Sequence, residues 1–451
     1  MTRTVLTPAG RGTFAHGVHP PERKNLAADA AIEVLPTPTQ VKIPLLQHVG
    51  ATCESKVKSK QELAIGELLA DSEAFISAPI HASINGVAGM QSVATLPNGR
   101  HVPAVPVAAG ENQPSAEDLF KDVFGGDWPT SGLEQYAPEQ IVQAARDGGL
   151  VGQGGAAFPT YVKLKHNPEK PIDTILLNGC ECEPYLTADY RMMVETPSPI
   201  ITGALLAARA CSAKRVLIAV EDNKPLAVDT LRRAARGTDV QVVVLKTKYP
   251  QGGEKQTILA TLGRTVPAGG LPLDVGVVVI NVGTAAALAR AVLRGKPLTH
   301  RVVCVTGAGI ERPGNLLVPI GASYRDLIDY CGGLKPDAAR VIAGGPMMGF
   351  TLGDLDTPVT KGTSGVTVLT ERDVQRPGET NCVRCGRCVD ACPMNLVPTR
   401  LALASRGKDW DLAKKYHITS CVECGCCAYV CPASLPLVQL IRMGKAQMPK
   451  E

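Results

Sequence analysis

Fifteen cysteines occur in this 451-residue chain, and eight of them fall in two runs that share one spacing. "CVRCGRCVDACP" places Cys382, Cys385, Cys388 and Cys392 as C-x2-C-x2-C-x3-C-P, and "CVECGCCAYVCP" repeats the spacing with Cys421, Cys424, Cys427 and Cys431. The short gaps let one tight loop turn three thiolates toward a single cubane, while the fourth, on a helix after the loop, reaches across to a second cluster. The spacing therefore assigns Cys382, Cys385, Cys388 and Cys431 to one [4Fe–4S] cluster. Cys421, Cys424, Cys427 and Cys392 take the other. Cys426 is left over: only Cys427 preserves both gaps, and Cys426 stands where the first run has Arg387. Structural zinc sites need paired C-x2-C units, which explain neither the third cysteine of each loop nor the proline after the fourth.

Clusters carry single electrons, so a donor and an acceptor are required. "GLVGQGGAAFPTYVK" sets Gly149, Gly152, Gly154 and Gly155 ahead of Lys163. Backbone N–H groups of such a loop can cradle a phosphate, with the lysine adding charge. A tight structural turn would use the same glycines. The phosphate reading gains from "LLNGCECEPYLTADYR", which directly follows the strand-like "IDTILL". Ligands of α/β sheets sit outside the carboxyl ends of strands, so Asn178, Glu181 and Glu183 fall where a cofactor lies. Cys180 and Cys182 form a C-x-C pair lacking two further ligands, and are expected to line rather than ligate.

The elements that must position these residues follow from periodicity. "IDTILLN", "RVLIAVE", "VQVVVLK" and "VGVVVIN" read as strands between helical stretches such as "LAVDTLRRAAR" and "TAAALARAVLRG", which predicts a mostly parallel sheet. Ahead of it, "AIEVLP", "VKIPLLQ", "ELAIGELLA" and "HASINGVAGM" read as short strands, with Asn85-Gly86 as a hairpin signal. After it, "HRVVCVTG", "NLLVPIG", "SYRDLIDYCGG" and "ARVIAGG" suggest a strand–strand–helix–strand module. The expected fold is a multidomain α/β chain: a small N-terminal β domain over 1–125 and an α/β domain over 126–298. The strand–strand–helix–strand module over 299–350, a linker over 351–375 and a two-cluster ferredoxin-like α domain over 376–451 complete it.

Composition excludes other classes. Aromatic residues make up only 4%, too few for stacking single-stranded nucleic acid, and a net charge of +5 is spread along the chain. No nucleic-acid partner is expected. The first residues carry no apolar leader segment, and the most apolar stretch holds Asp274, Asn281, Arg290 and Arg294, so no transmembrane span is expected. Clustered cysteines then point to a reducing compartment and metal binding.

Longer motifs carry a resemblance. "GxGGAxFPTxxK", "NxxExEP" and "INVGT" resemble the flavin-binding subunit of respiratory complex I. That resemblance implies an FMN site of Gly152, Gly154, Gly155, Lys163, Asn178, Glu181, Asn281 and Thr284, with Phe158 packing on the dinucleotide. It places Glu183 and Glu254 beside NADH. Two positions depart from the pattern: Gln153 stands for an arginine and Cys180 for an aspartate. "FAHGVHPPERK", "IPLLQHVGA", "YPQGGEKQ" and "VTGAGIERPGNLLVPIG", with the tandem cysteine ending, resemble the RnfC family across nearly the whole chain. Those proteins are peripheral subunits of ion-translocating Rnf complexes, and the resemblance implies an N-terminal barrel-sandwich-like β domain over 1–125, an α/β flavin/NADH domain over 126–298 and a soluble-ligand-binding-like β-grasp module over 299–350. Membership implies a place on the cytoplasmic face of the bacterial inner membrane, other Rnf-type membrane subunits as partners, and exchange with ferredoxin through the complex. It also implies electron transfer between NADH and two [4Fe–4S] clusters through FMN, coupled to Na⁺ or H⁺ movement. A soluble flavin/iron–sulfur reductase of the cobalamin-reductase type and a flavin-free cluster relay are the alternatives. The "HASINGV" segment has no lysine, so lipoyl or biotin attachment is not expected.

Overall fold

The structure, a computed structural model, describes residues 10–165, 168–375 and 377–449. The first nine residues, part of the segment read as lacking a leader, lie outside the described residues. Four β-branched runs form a parallel sheet in the order Val240–Leu245, Arg215–Glu221, Thr174–Asn178 and Val277–Asn281. Parallel strands buried on both faces favour such uninterrupted apolar runs. The register sets Asn178 level with Asn281, so both amide side chains stand at the carboxyl edge of adjacent strands. Beneath the sheet, helices Pro197–Cys211 and Val282–Arg294 approach so closely that a Cβ on Gly203 would lie 1.8 Å from the Ala285 carbonyl oxygen.

The N-terminal β domain consists of a five-stranded and a three-stranded sheet around Val41, Ile43, Leu69, Ile80, Val105 and Val107. Asn85-Gly86 is not a hairpin turn. Strand Ile80–His81 pairs with Leu68–Asp71, whereas Gly86–Ala88 pairs with His101–Ala109 in the other sheet. The chain therefore crosses between sheets there. A Cβ on Gly86 would meet the Ala108 carbonyl oxygen at 2.0 Å, so the glycine serves close packing rather than a turn.

Two further strands depart from the expected layout. Ile32–Val34 leaves the N-terminal part and pairs in parallel with Gly314–Pro319. Gly365–Thr370, within the span expected as a linker, is fully buried in the middle of the same six-stranded sheet, beside His300–Thr306 and Ala338–Ala343. Pro, Gly and charge on its flanks hid a Val/Thr strand covered on both faces.

In the cysteine domain the two runs adopt matching backbones. Arg384 and Glu423, Gly386 and Gly425, and Asn395 and Ser434 all have positive φ at corresponding positions. The third cysteine of each run lies on a one-turn helix, Arg387–Asp390 or Cys426–Tyr429. The fourth follows that helix instead of lying on a later one, because the turn ends before it. Longer helices Pro398–Gly407 and Leu437–Gln447 pack across both loops. Among the described residues no helix is long and apolar enough to cross a membrane.

Candidate functional site

At the carboxyl edge of the parallel sheet the side chains are already engaged with one another. Asn178 donates from Nδ2 to the Gly252 carbonyl at 2.7 Å and accepts from the Cys180 N–H at 3.1 Å. Asn281 caps the helix that begins at Val282, accepting from the N–H groups of Gly283 at 2.8 Å and Thr284 at 3.3 Å. Its Nδ2 donates to Asp189 at 2.7 Å. Glu181 accepts from the Asp189 and Tyr190 N–H groups at 2.8 and 3.1 Å, offsetting the unpaired donors that open helix Ala188–Glu195. Burial, then the Glu181 carboxylate beside it, pushes Asp189 up to about 7.

The glycine loop lies over this edge. Gly154 and Gly155 are exposed, and Gly155 has φ +108°, a conformation that favours glycine. A Cβ on Gly154 would stand 3.5 Å from Asn281, so the loop runs close to the strand end. Gln153 is buried and fastens the loop: its N–H donates to Thr284 Oγ1 at 2.9 Å and its side chain to the Gly283 carbonyl at 3.1 Å. Thr284, buried and used in this way, holds the loop from beneath. Lys163 pairs with Glu254 at 2.7 Å and donates to the Val279 carbonyl at 3.2 Å. Both side chains of that pair remain about one-third exposed, at 31% and 39%. Phe158 is half-buried, and its carbonyl accepts from the Gly152 N–H at 2.9 Å, closing the loop.

A phosphate-bearing isoalloxazine fits this surface. The loop has two exposed glycines, a lysine on the rim, and amide and carboxylate groups at the sheet edge. Cys180 points away from it, fully buried in the core under the strands, with Sγ against the Ala219 carbonyl.

Glu183 is held by a neighbouring turn. Its carboxylate accepts from the Met347 and Met348 N–H groups at 3.2 and 2.8 Å, and a Cβ on Gly345 would lie 2.3 Å from Glu183 Oε2. The strand-end loop is thereby clamped to the turn at 344–349. Burial pushes this carboxyl up to about 7 against those hydrogen bonds. Lys24, in the "HPPERK" stretch, donates to the carbonyls of Glu181, Glu183 and Leu186 at 2.8, 2.9 and 2.6 Å. Sequence reasoning missed Lys24, Gln153 and Asp189 as positioning groups, although each lies in a quoted motif.

Four of the eight expected ligands come together. Cys392, Cys421, Cys424 and Cys427 line one apolar pocket together with Leu396, Val438 and Ile441. Four thiols around one apolar pocket are a donor set that suits an iron–sulfur cluster. Cys388 packs with Leu437, and Cys431 lies against the same apolar group, whereas Cys382 and Cys385 are exposed. Cys426 also borders the pocket, but it is fully buried and its Sγ is directed at the Tyr249 carbonyl.

The two regions meet. Val18, Tyr249, Ala391, Cys424 and Cys426 form one apolar cluster, with Cys182 and Met347 packed against it. Tyr249 donates from its hydroxyl to the Cys424 carbonyl at 2.7 Å. The N-terminal segment staples the junction: Val18 bridges to Tyr249, and Gly17 donates to the Ala391 carbonyl at 3.1 Å.

Family models match in the same order. A "RnfC Barrel sandwich hybrid domain" matches residues 12–111, a "Nuo51 FMN-binding domain" 145–290, an "SLBB domain" 302–351 and a "4Fe-4S dicluster domain" 381–435. A solved NAD+-reducing [NiFe]-hydrogenase chain superposes with a TM-score of 0.51 at 19% identity, over 76% of this chain and 69% of that one. At that identity the likeness concerns the fold alone. A subunit of the proton-translocating ferredoxin:NAD(+) oxidoreductase complex of Clostridium ljungdahlii is 43% identical over 96% of this chain and 94% of its own. Its counterpart in the Na(+)-translocating complex of Acetobacterium woodii is 40% identical over 97% of each. The corresponding subunit of the ion-translocating oxidoreductase complex of Rhodobacter capsulatus is 39% identical over 99% of this chain and 85% of its own. With this identity sustained end to end, and a barrel-sandwich match bearing the family's name, the chain belongs to the RnfC family of oxidoreductase complex subunits.

Proposed function

We propose that the chain is the NAD(H)-facing electron-transfer subunit of a membrane-attached, ion-translocating ferredoxin:NAD⁺ oxidoreductase. The observation that carries this reading is the direct packing of the glycine-loop domain onto the second cysteine loop through Tyr249, Cys182 and Met347. Nicotinamide gives up two electrons as hydride and a [4Fe–4S] cluster takes one, and FMN, when bound, is the group able to convert between them. Gly152, Gly154, Gly155 and Lys163 bind its phosphate side in this reading, while Asn178, Glu181 and Asn281 shape the sheet edge beneath. Thr284 acts through the loop, by holding Gln153. Glu254 lies on the rim where the dinucleotide enters, and Glu183 positions the strand-end loop from below.

Two [4Fe–4S] clusters fit the two thiol groups, Cys392, Cys421, Cys424 and Cys427 inside and Cys382, Cys385, Cys388 and Cys431 outside. The inner group adjoins Tyr249 and serves the flavin side; the exposed Cys382 and Cys385 turn the outer group toward a partner. The partners are the other Rnf-type subunits, and ferredoxin through them, at the cytoplasmic face of the inner membrane. In this reading the domains divide near 125 and 298, with the β-grasp part extending to the strand that ends at Thr370.

Anaerobically purified protein tests the proposal by its absorption spectrum. NADH should bleach bound flavin and then lower cluster absorbance. Protein that carries no flavin, or whose clusters ignore NADH, sinks the flavin half of the reading.

A further inference from the structure

One exposed aromatic next to the glycine loop has no role in the arrangement above. Phe75 belongs to the N-terminal β domain, in the loop after strand Leu68–Asp71, yet its ring is 58% exposed. That loop is tightly held. Arg146 pairs with Asp71 and donates to the Ser72 carbonyl, both at 3.1 Å, and the buried Ser77 hydroxyl closes the turn on the Ser72 and Ala74 carbonyls at 3.1 and 2.8 Å. Ala51 N–H donates to the Ile76 carbonyl at 3.0 Å, and the Tyr161 hydroxyl donates to the Phe75 carbonyl itself. The backbone is thus fixed while the ring stays in water. Folding of this chain leaves much of that apolar surface unburied.

The position of the ring points to what uses it. Phe75 stands edge-on to Tyr161, with centroids 6.3 Å apart, and Tyr161 lies on the short helix Thr160–Leu164 that follows Phe158. Phe75 therefore lies against the helical turn that follows Phe158. Lys165 holds its ammonium 5.3 Å from the Phe75 ring centroid. Val49 and Ile76, 51% and 37% exposed, extend the apolar strip to the glycine loop, where the Val49 N–H donates to the Ala157 carbonyl at 3.2 Å. An exposed π surface with a cation over part of it, joined through Val49 to the glycine loop, suits a molecule with an aromatic base at one end and phosphates between.

We propose that Phe75 is a specificity-determining residue that stacks on the adenine base of NAD(H), so that the N-terminal β domain completes the dinucleotide site. Lys165 then faces the phosphates next to that base. The inference rests on the nucleotide site proposed above and adds a wall to it from a separate domain. An aromatic platform of this kind contributes about 1–3 kcal/mol per base, because every base presents a π face.

The test compares ligands with and without the adenylate half on full-length, FMN-loaded, anaerobic protein. ADP-ribose binding, measured by calorimetry, requires no electron transfer. Phe75→Ala should weaken it about fivefold or more, while bleaching of flavin by reduced nicotinamide mononucleotide, flavin content and melting temperature stay at wild-type values. Phe75→Leu, which keeps an apolar side chain but no π face, should weaken ADP-ribose similarly, and Phe75→Trp should restore it. Unchanged ADP-ribose affinity in Phe75→Ala and Phe75→Leu overturns the stacking role while leaving the nucleotide site standing. Wild-type protein that binds neither ADP-ribose nor NADH overturns both. An equal loss of ADP-ribose and reduced mononucleotide responses assigns Phe75 to general loop packing and also overturns it.

Discussion

Tyr249 reaches from the α/β domain to donate its hydroxyl to the Cys424 carbonyl at 2.7 Å. It is a direct polar tether between the nucleotide side of the molecule and the inner cysteine group, and both residues are buried. Tyr249→Phe keeps the ring in its apolar cluster and leaves the carbonyl without its donor. Loss of a partner to a buried acceptor costs about 1–3 kcal/mol. The variant should keep its iron content, unfold at lower denaturant, and show slower reduction of the clusters by NADH in stopped-flow absorbance. Reduction at the wild-type rate would remove Tyr249 from the electron path.

Cys426 is the fifth thiol of the second run, and its burial against Tyr249 is a packing role. Cys426→Ser should retain about eight irons in two cubanes. Cys427→Ser should lose roughly half of them. Iron analysis with electron paramagnetic resonance separates the cases, and the opposite pattern would exchange the roles of the two neighbours.

Lys163 and Glu254 form an ion pair that is partly exposed, a class worth only about 0–1 kcal/mol to folding. Lys163→Met should therefore leave the melting temperature nearly unchanged. A charge-assisted bond to phosphate is worth about 1.5–3 kcal/mol, so FMN affinity should fall roughly tenfold to a hundredfold. Fluorescence of released flavin after dilution measures it.

Glu183 makes stability depend on pH. Its ordinary value of 4.5 is raised to about 7 by burial. Between those values the folded protein keeps a proton that the unfolded chain has released, so the contribution is full below 4.5 and lost as pH rises through about 7. Asp189, also raised to about 7, adds to the same fall. Glu183→Gln should lessen the loss of stability between pH 5 and 8, measured by anaerobic urea unfolding, without abolishing it. A slope equal to wild type would show that the carboxyl is already ionised at pH 5.

The parts of this molecule written in short-range pattern could be read from its sequence. Cysteine gaps, β-branched runs ending in Asn178 and Asn281, and the glycines before Phe158 each state their geometry within a few residues. What could not be read depends on pairings hundreds of residues apart. Nothing local in "AIEVLP" says that Ile32–Val34 joins a sheet with Gly314–Pro319, and nothing near Glu183 names Met348 as its donor. Nothing local pairs Gln153 with Thr284 either, 131 residues apart in sequence, although the Gln153 N–H donates to the Thr284 hydroxyl oxygen.

The turn at 344–349 has a further consequence. Glu183 grips one side of it, and on the other Gly425 packs so near that a Cβ would lie 2.6 Å from the Met347 carbonyl oxygen, at a φ of +81°. The β-grasp sheet thus works as a gauge block: it fixes the spacing between the strand-end loop that holds Glu183 and the second cysteine loop. The missing methyl group at residue 425 lets the cysteine loop sit directly on the turn. A side chain there would strain the backbone between Cys424 and Cys427 and force that loop off the block.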